Sequence, residues 1–224
     1  VTLQLKWKHQ FQFAGYYAAQ EKGYYRDAGL EVSVIEAGPE TDPVREVLDG
    51  RAQFGVSNSA LLLARAQGKP VVALAVIFQH SPFILAARRD EGIRTVHDLV
   101  GKRLMGEPHA DEVFAYLRKE GISEAQLQIQ PHSLDHQDLI DGRTDVLTAY
   151  STDEPFFFEK KKFAYLELSP RAAGIDFYGD NLFTSSGQIA RRPEQVKAFR
   201  DASLKGWAYA MQHQDEMADL IIAR

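Results

Sequence analysis

Cysteine is absent from the 224 residues. Its absence excludes disulfides, thiolate metal centres and a cysteine nucleophile. Long apolar runs are absent as well. The longest, residues 71–78, falls well short of the roughly 18–20 residues that a membrane-spanning helix needs and suits a buried strand. Neither sign of charge dominates: 26 Lys and Arg stand against 31 Asp and Glu, for a net charge of −5. That balance argues against a nucleic-acid surface. There is no internal repeat and no low-complexity tract.

What remains is the composition of a globular protein, 45% apolar. The length allows one large domain or two small lobes with a sizeable core. Both ends read as cut. Residue 1 already stands in a strand pattern without a methionine or signal segment. Arg224 closes an apolar-periodic helix with no Gly or Asn stop. The expectation is an excised domain, with a targeting segment removed upstream and more chain downstream.

Strands and helices alternate, the mark of an α/β fold. The pattern predicts a strand over residues 1–7, a helix over 15–28 and a strand over 31–35. Asp42 is placed to cap a short helix with Pro43 at its first position. Strands follow at 53–56, 71–78 and 83–87, with a helix over 58–66. Further on, helices are predicted at 111–120, 135–140 and 154–162, and strands at 102–105, 128–130, 145–149 and 165–168. Residues 183–189 read as a strand, and a long helix runs from Pro193 to the end. Ser123-x-x-Gln126 and Ser151-x-x-Glu154 fit capping boxes. The segments Arg88-Arg89-Asp90-Glu91-Gly92 and Thr184-Ser185-Ser186-Gly187 suit crossings between lobes. Lobe one is then 1–87 plus 187–224, and lobe two is 88–186. Two such lobes would leave a cleft between them for a ligand.

The densest chemistry follows the first strand: Trp7-Lys8-His9-Gln10-Phe11-Gln12-Phe13-Ala14-Gly15-Tyr16-Tyr17. Rings to stack on and amides or imidazoles to read an edge are what a flat polar heterocycle requires. The same rings also serve as core filler, and spacing alone does not choose.

Several segments in order carry a resemblance. They are Leu5-Lys6-Trp7 with its aromatic sequel, Glu21-Lys22-Gly23-Tyr24-Tyr25-Arg26-Asp27-Ala28-Gly29-Leu30-Glu31-Val32, Gly55-Val56-Ser57-Asn58-Ser59-Ala60, Gly68-Lys69-Pro70-Val71-Val72 and Gly174-Ile175-Asp176-Phe177-Tyr178-Gly179-Asp180-Asn181. The chain resembles the periplasmic solute-binding family related to the yeast thiamine-pyrimidine synthase. That resemblance implies a two-lobe type II periplasmic-binding-protein fold with an inter-lobe ligand cleft and closure on the ligand. The Glu-Lys-Gly-Tyr-Tyr stretch is shared with sulfonate and nitrate binders, whereas the aromatic loop and the Asp176–Asp180 stretch are similar to the pyrimidine-binding branch. Residues 7–19 look most like sensor domains of membrane-anchored kinases and cyclases. The implied partners are a small molecule and either such a module in the same chain or an ABC permease, outside the cytoplasm.

The resemblance also bears on catalysis. The enzyme branch uses a lysine-bound pyridoxal phosphate, its own histidine and a cysteine-rich iron motif. Here the lysine position falls in Ser57-Asn58 and the histidine position among Leu61, Leu62 and Leu63. No lysine stands ready for a Schiff base. The reading is a binding domain without enzymatic activity, cofactor or metal.

Each candidate contact has a structural alternative. Trp7, Phe11 and Phe13 either stack on a ligand or fill the core; Tyr16, Tyr17, Tyr24 and Tyr25 have helical packing spacing. His9 either bonds a ring nitrogen or is solvated. Asn58 either caps a helix or uses its paired donor and acceptor on a ligand. Gln79 and His80, after a buried strand, are expected to face the cleft. Glu107 and Asp111 lie at the matching turn of lobe two, where Asp111 can instead be a cap. Tyr150, Asp153 and Glu154 lie at another strand-to-helix turn, where a carboxylate can hold an aminopyrimidine's N–H donors. Tyr178 is a second stacking candidate and Asp180 a second carboxylate. His132 and His136 are four apart, but Pro131 and Ser133 argue against a shared helical face. Lys160-Lys161-Lys162 reads as the solvated end of a helix. The leading reading is an aminopyrimidine-type ligand. A sulfonate or similar anion, a pyrimidine-forming enzyme, and a domain whose cleft serves only protein contacts are its rivals.

Overall fold

The first predicted strand is shorter than its apolar pattern. β1 covers Thr2–Gln4, and the chain then bends through residues 6–10, so Trp7 lies past the strand. Backbone pairing persists beyond it: Leu5 N–H donates to Ile35 O at 2.8 Å and Ala37 N–H to Trp7 O at 3.0 Å. A computed structural model describes residues 1–89, 92–107 and 109–223. Asp90 and Glu91, in the expected first crossing, and Pro108 and Arg224 lie outside the described residues.

Two units share one strand plan. The first comprises residues 1–57, 61–77 and 181–224, the second 58–60 and 78–180. In the first, β1, β2 (Ser33–Ile35), β3 (Phe54–Ser57), β4 (Val71–Val76) and β10 (Asn181–Ser185) form a sheet in the order β2-β1-β3-β10-β4. β1 is parallel to β2 and β3, while β10 is antiparallel to β3 and β4. In the second, β5 (Phe83–Arg88), β6 (Arg103–Gly106), β7 (Gln128–Pro131), β8 (Val146–Tyr150) and β9 (Tyr165–Leu168) follow the order β7-β6-β8-β5-β9. β6 is parallel to β7 and β8, and β5 is antiparallel to β8 and β9. In both sheets the antiparallel member is the strand that follows a crossing, at 180/181 and at 77/78.

Two expectations about the division need correction. Residues 83–87, assigned from sequence to lobe one, pair inside the second sheet, and 181–186 belong to the first unit. Residues 183–189 are not one strand: Ser185 ends β10, and its hydroxyl accepts from Gln188 N–H at 3.1 Å, starting α8 (Ser186–Arg191). A serine in extended backbone before a helix satisfies an otherwise orphaned donor.

Helices cover the sheets where the chain's periodicity is apolar. In the first unit α1 (Ala14–Glu21) stops at Gly23, whose φ of 72° breaks the expected helix before α2 (Tyr24–Asp27). α3 (Pro43–Leu48) starts as expected, with the Asp42 carboxylate accepting from Val44 N–H at 2.9 Å. α4 (Leu61–Ala66) follows β3, and α9 (Pro193–Gln212) breaks at His213 before α10 (Gln214–Ile222). Tyr25, Phe199 and Phe54 form a stack, with centroids 5.1 and 3.8 Å apart. The Tyr25 hydroxyl is satisfied by Ser203 at 2.8 Å, as a buried phenol must be.

The second unit has α5 (Asp111–Lys119), α6 (Gln137–Ile140) and α7 (Glu154–Lys160). Its core is built from Leu85, Leu104, Val113, Leu117 and Val146 on one side and Ile84, Leu139, Leu147 and Phe158 on the other. Arg103 forks onto Asp145, Nη2 donating to Oδ1 at 2.6 Å and Nε to Oδ2 at 3.1 Å, which locks the start of β6 to that of β8. Among the described residues no helix is long and apolar enough to cross a membrane.

Candidate binding site

In the first unit the aromatic loop separates into buried and exposed members. Phe13 is fully buried, Trp7 is 8% exposed and Phe11 41%. Phe13 therefore serves the core and offers no surface to a ligand, which removes it from the expected stacking set. Tyr16, Tyr17 and Tyr25 are buried as their spacing implies. His9 is exposed and its ring is engaged: Nδ1 lies 2.7 Å from the Tyr17 hydroxyl, and its backbone N–H donates to Glu36 at 3.1 Å.

In the second unit several candidates gather around Tyr150. The phenol, at the end of β8, donates to Asp180 Oδ1 at 2.9 Å, and its ring meets Phe83 edge-on with centroids 4.8 Å apart. Its backbone N–H donates to Glu154 Oε2 at 2.7 Å. Burial, then the charges of Asp180 and Glu107, hold the Tyr150 hydroxyl well above its ordinary range, so it stays a proton donor. Burial, with Asp153 adding repulsion, pushes the Glu154 carboxyl up to about 8. Glu107, Glu154 and Asp180 are all buried. Glu107 N–H is held by Thr148 Oγ1 at 2.9 Å, tying the end of β6 to β8.

The capping box expected at Ser151-x-x-Glu154 does not form. Asp153 occupies the cap position and makes no side-chain cap bond, while Glu154 turns back to the Tyr150 N–H. Asp111 is the first residue of α5 rather than its cap; Ala110 takes that place. Asn58 makes a local bond ahead of α4, its Oδ1 accepting from Ala60 N–H at 3.0 Å, and its Nδ2 donates to the backbone oxygen of His109 at 2.9 Å. His109 holds a φ of 64°, a left-handed conformation uncommon outside glycine.

Residues 78–81 and 177–180 run side by side. Phe78 N–H donates to Asp180 O at 3.1 Å, Gly179 N–H to Phe78 O at 2.9 Å and Ser81 N–H to Phe177 O at 2.8 Å. Gly179 is required there, since a methyl group would stand 2.8 Å from Phe78 Cβ. His80 is exposed, with Nδ1 2.8 Å from Asp176 Oδ2. Gln79 and Tyr178 are also exposed; Tyr178 turns outward and does not join the Tyr150 group. The two histidines weighed as metal ligands are engaged separately, His132 Nε2 with Thr148 O at 3.2 Å and His136 against the Phe157 ring at 3.6 Å.

Sequence reasoning passed over Glu112 and Ser81, whose hydroxyl donates to the Glu112 carboxylate. Glu112 is buried on the stripe of α5 that carries Val113, Tyr116 and Leu117. A carboxylate on an apolar stripe was the available signal, since such a group is buried only when it is paired.

Two α/β units of this strand plan, joined by paired crossing segments, define a two-lobe solute-binding fold of the periplasmic type. Solved structures agree: the chain superposes with a TM-score of 0.84 on a Bordetella bronchiseptica protein (18% identity, 98% of this chain, 74% of that one). It superposes at 0.75 on the alkanesulfonate-binding protein SsuA of Xanthomonas axonopodis (15% identity, 98% and 76%). The sequence matches the NMT1/THI5-like family over residues 10–217, and the chain belongs to that family. It is 29% identical to the riboflavin-binding protein RibY of Chloroflexus aurantiacus, covering 98% of this chain and 65% of that protein. It is 24% identical to a 4-amino-5-hydroxymethyl-2-methylpyrimidine phosphate synthase of Legionella pneumophila (99% and 72%). It is 22% identical to a formylaminopyrimidine-binding protein of Halalkalibacterium halodurans (99% and 69%). Binding proteins and a named synthase thus both occur among its relatives.

Proposed function

We propose that this chain is a non-catalytic, extracytoplasmic solute-binding domain for a small planar heterocycle containing a pyrimidine ring, an aminopyrimidine related to the thiamine precursor being the first choice. The carrying observation is the buried group around Tyr150. Asp180 supplies a charged acceptor and Glu154, protonated at neutral pH, a neutral carbonyl acceptor, in a dry setting beside a phenol that remains protonated. An aminopyrimidine edge presents N–H donors, and charge-assisted bonds to carboxylate are the strong ones. An anion such as a sulfonate would be repelled by the buried Asp180 carboxylate. The names of the relatives support the reading: formylaminopyrimidine is a pyrimidine, and riboflavin contains one fused into its ring system.

Trp7 is the proposed stacking surface, with Phe11 beside it in the same loop and His9 as an edge contact. Asn58, Gln79, His80, Glu107, Asp111, Asp153 and Tyr178 complete the proposed contacts. The lack of a lysine at Ser57-Asn58 supports binding without chemistry. Lobe closure on the ligand is proposed as the output, read by a membrane-anchored signalling module as the favoured partner or by an ABC permease.

Two measurements test this. Gentle denaturation of the purified protein, followed by mass spectrometry, identifies any carried ligand. Thermal shifts against aminopyrimidines, riboflavin, taurine and nitrate then rank the classes; saturation at 100 times Kd adds about 2.7 kcal/mol. Stabilisation by taurine or nitrate and by no pyrimidine overturns the reading. Turnover of histidine or pyridoxal phosphate overturns its non-catalytic half.

A further inference from the structure

The second unit holds a cleft of about 490 Å³ that the Tyr150 group does not fill. Its size lies in the range of small-molecule sites. Phe78, Pro82 and Phe83 give it apolar surface. Gln79, Ser151, Thr152 and Ser169 give it neutral groups that both donate and accept. Its charged lining is His80, Glu167 and Arg171.

The charges give an anion no net attraction. Arg171 Nε lies 3.6 Å from Asp176 Oδ2, and His80 Nδ1 lies 2.8 Å from the same oxygen. One guanidinium is therefore set against two carboxylates, Asp176 and Glu167. Whether His80 is neutral or protonated, no net positive charge is left to draw a phosphate or sulfonate. A cationic ligand is no better served, because Asp176 already has two partners and Glu167 is exposed to water, which screens it.

We propose that this cleft binds a neutral polyhydroxylated group, a polyol or a sugar. Such a group needs hydroxyl and amide partners able to switch between donor and acceptor, and an apolar face for its C–H surface. The lining supplies both. Ser169 Oγ accepts from Ala172 N–H at 3.2 Å, which leaves the hydroxyl proton to donate. Ser151 and Thr152 are adjacent and exposed at the end of β8, opposite in chain direction to the start of β5. Glu167 is a strong acceptor for a hydroxyl proton and needs no charge on the ligand to act as one. Gln79 and His80 are shared with the proposed heterocycle contacts, but the polyol reading rests on the cleft's own lining, and the polyol can arrive free or as the tail of a larger ligand.

The test is amide and methyl NMR on the whole chain, with four probes: ribitol, inorganic phosphate, lumichrome (the flavin ring without its tail) and riboflavin. Ribitol is expected to move the Thr152 and Ser169 resonances saturably, and phosphate at equal concentration is not. Ser151→Ala with Thr152→Val should weaken that response at least tenfold at unchanged melting temperature. If riboflavin binds at least tenfold tighter than lumichrome and moves the same resonances, the polyol is delivered as a tail. If only ribitol does so, it is delivered free. The proposal is overturned if phosphate saturates these resonances or if neither polyol-bearing probe moves them. Ring binding is read separately through quenching of tryptophan fluorescence by lumichrome or an aminopyrimidine, so failure of the heterocycle reading shows there and not here.

Discussion

Tyr150 and Asp180, thirty residues apart, share a hydrogen bond of 2.9 Å in which the phenol donates to the carboxylate. Both residues are buried, so each meets the other's polar demand where water does not. Removing the hydroxyl by Tyr150→Phe keeps the ring against Phe83 and leaves the Asp180 carboxylate without that donor. Breaking a bond to a buried charged acceptor costs about 1–3 kcal/mol. Urea unfolding should show a loss of that size for Tyr150→Phe. In a double-mutant cycle with Asp180→Asn, the coupling should be positive and above about 0.5 kcal/mol. Additive losses would mean that the two residues are merely neighbours.

Glu154 makes stability depend on pH in an unusual direction. Its carboxyl is pushed up from an ordinary 4.5 to about 8 by burial and by Asp153. Between those values the folded chain holds a proton that the unfolded chain has released. Stability therefore falls as pH rises through this window, with full benefit below about 4.5 and none above about 8. The total effect is on the order of a few kcal/mol, set by about 1.4 kcal/mol for each pKa unit of difference. Glu154→Gln keeps an acceptor for Tyr150 N–H and cannot titrate. Chemical denaturation at pH 5.5 and pH 8 should show the difference in the parent and a flatter profile in the variant. Equal slopes would place the titration elsewhere.

The order of elements was legible because periodicity and capping chemistry are local: Asp42-Pro43 and Ser123-x-x-Gln126 act where the sequence puts them. The aromatic loop was legible as a concentration of rings, but not which rings face inward, since Phe11 and Phe13 differ only in where the following helix turns them. Ser151-x-x-Glu154 misled for a tertiary reason. The Glu154 carboxyl group found the Tyr150 N–H, a partner that a capping rule does not consider. The lobe boundary was missed because a strand inserted antiparallel between two others, as β5 is, has the same apolar pattern in either sheet.

Gly15 and Gly206 make the contact between α1 and α9 possible. A methyl group on Gly206 would lie 2.1 Å from Gly15 O, and one on Gly15 would lie 2.2 Å from Trp207 Cγ. Neither can be accommodated without moving a helix. Overpacking of this kind typically costs about 1–3 kcal/mol, and backbone obstruction puts Gly206→Ala at the upper end. Its melting temperature should drop clearly. Gly29→Ala is a useful contrast, for a methyl there meets no atom within 4 Å but must hold a φ of 72°. If Gly206→Ala is neutral, the two helices are not packed as closely as described.

Trp7 tests the binding reading most directly. At 8% exposure its ring is mostly embedded, so Trp7→Ala would damage the first unit as well as any ligand contact. Truncating a buried aromatic costs about 3–5 kcal/mol. Trp7→Phe is the informative variant, because it keeps apolar volume and reduces the stacking face. Stacking contributes about 0.5–1.5 kcal/mol beyond buried area, so the variant should bind an aminopyrimidine or riboflavin roughly 2- to 10-fold more weakly. Phe11→Leu, at an exposed neighbouring position in the loop, should have a smaller effect on affinity and almost none on stability. Titration calorimetry on both variants, paired with their melting temperatures, separates the roles. Weakened binding with an intact melting temperature for Trp7→Phe assigns the ring to the ligand. A lowered melting temperature with unchanged affinity assigns it to the core, and the stacking surface would then have to be sought at Phe11.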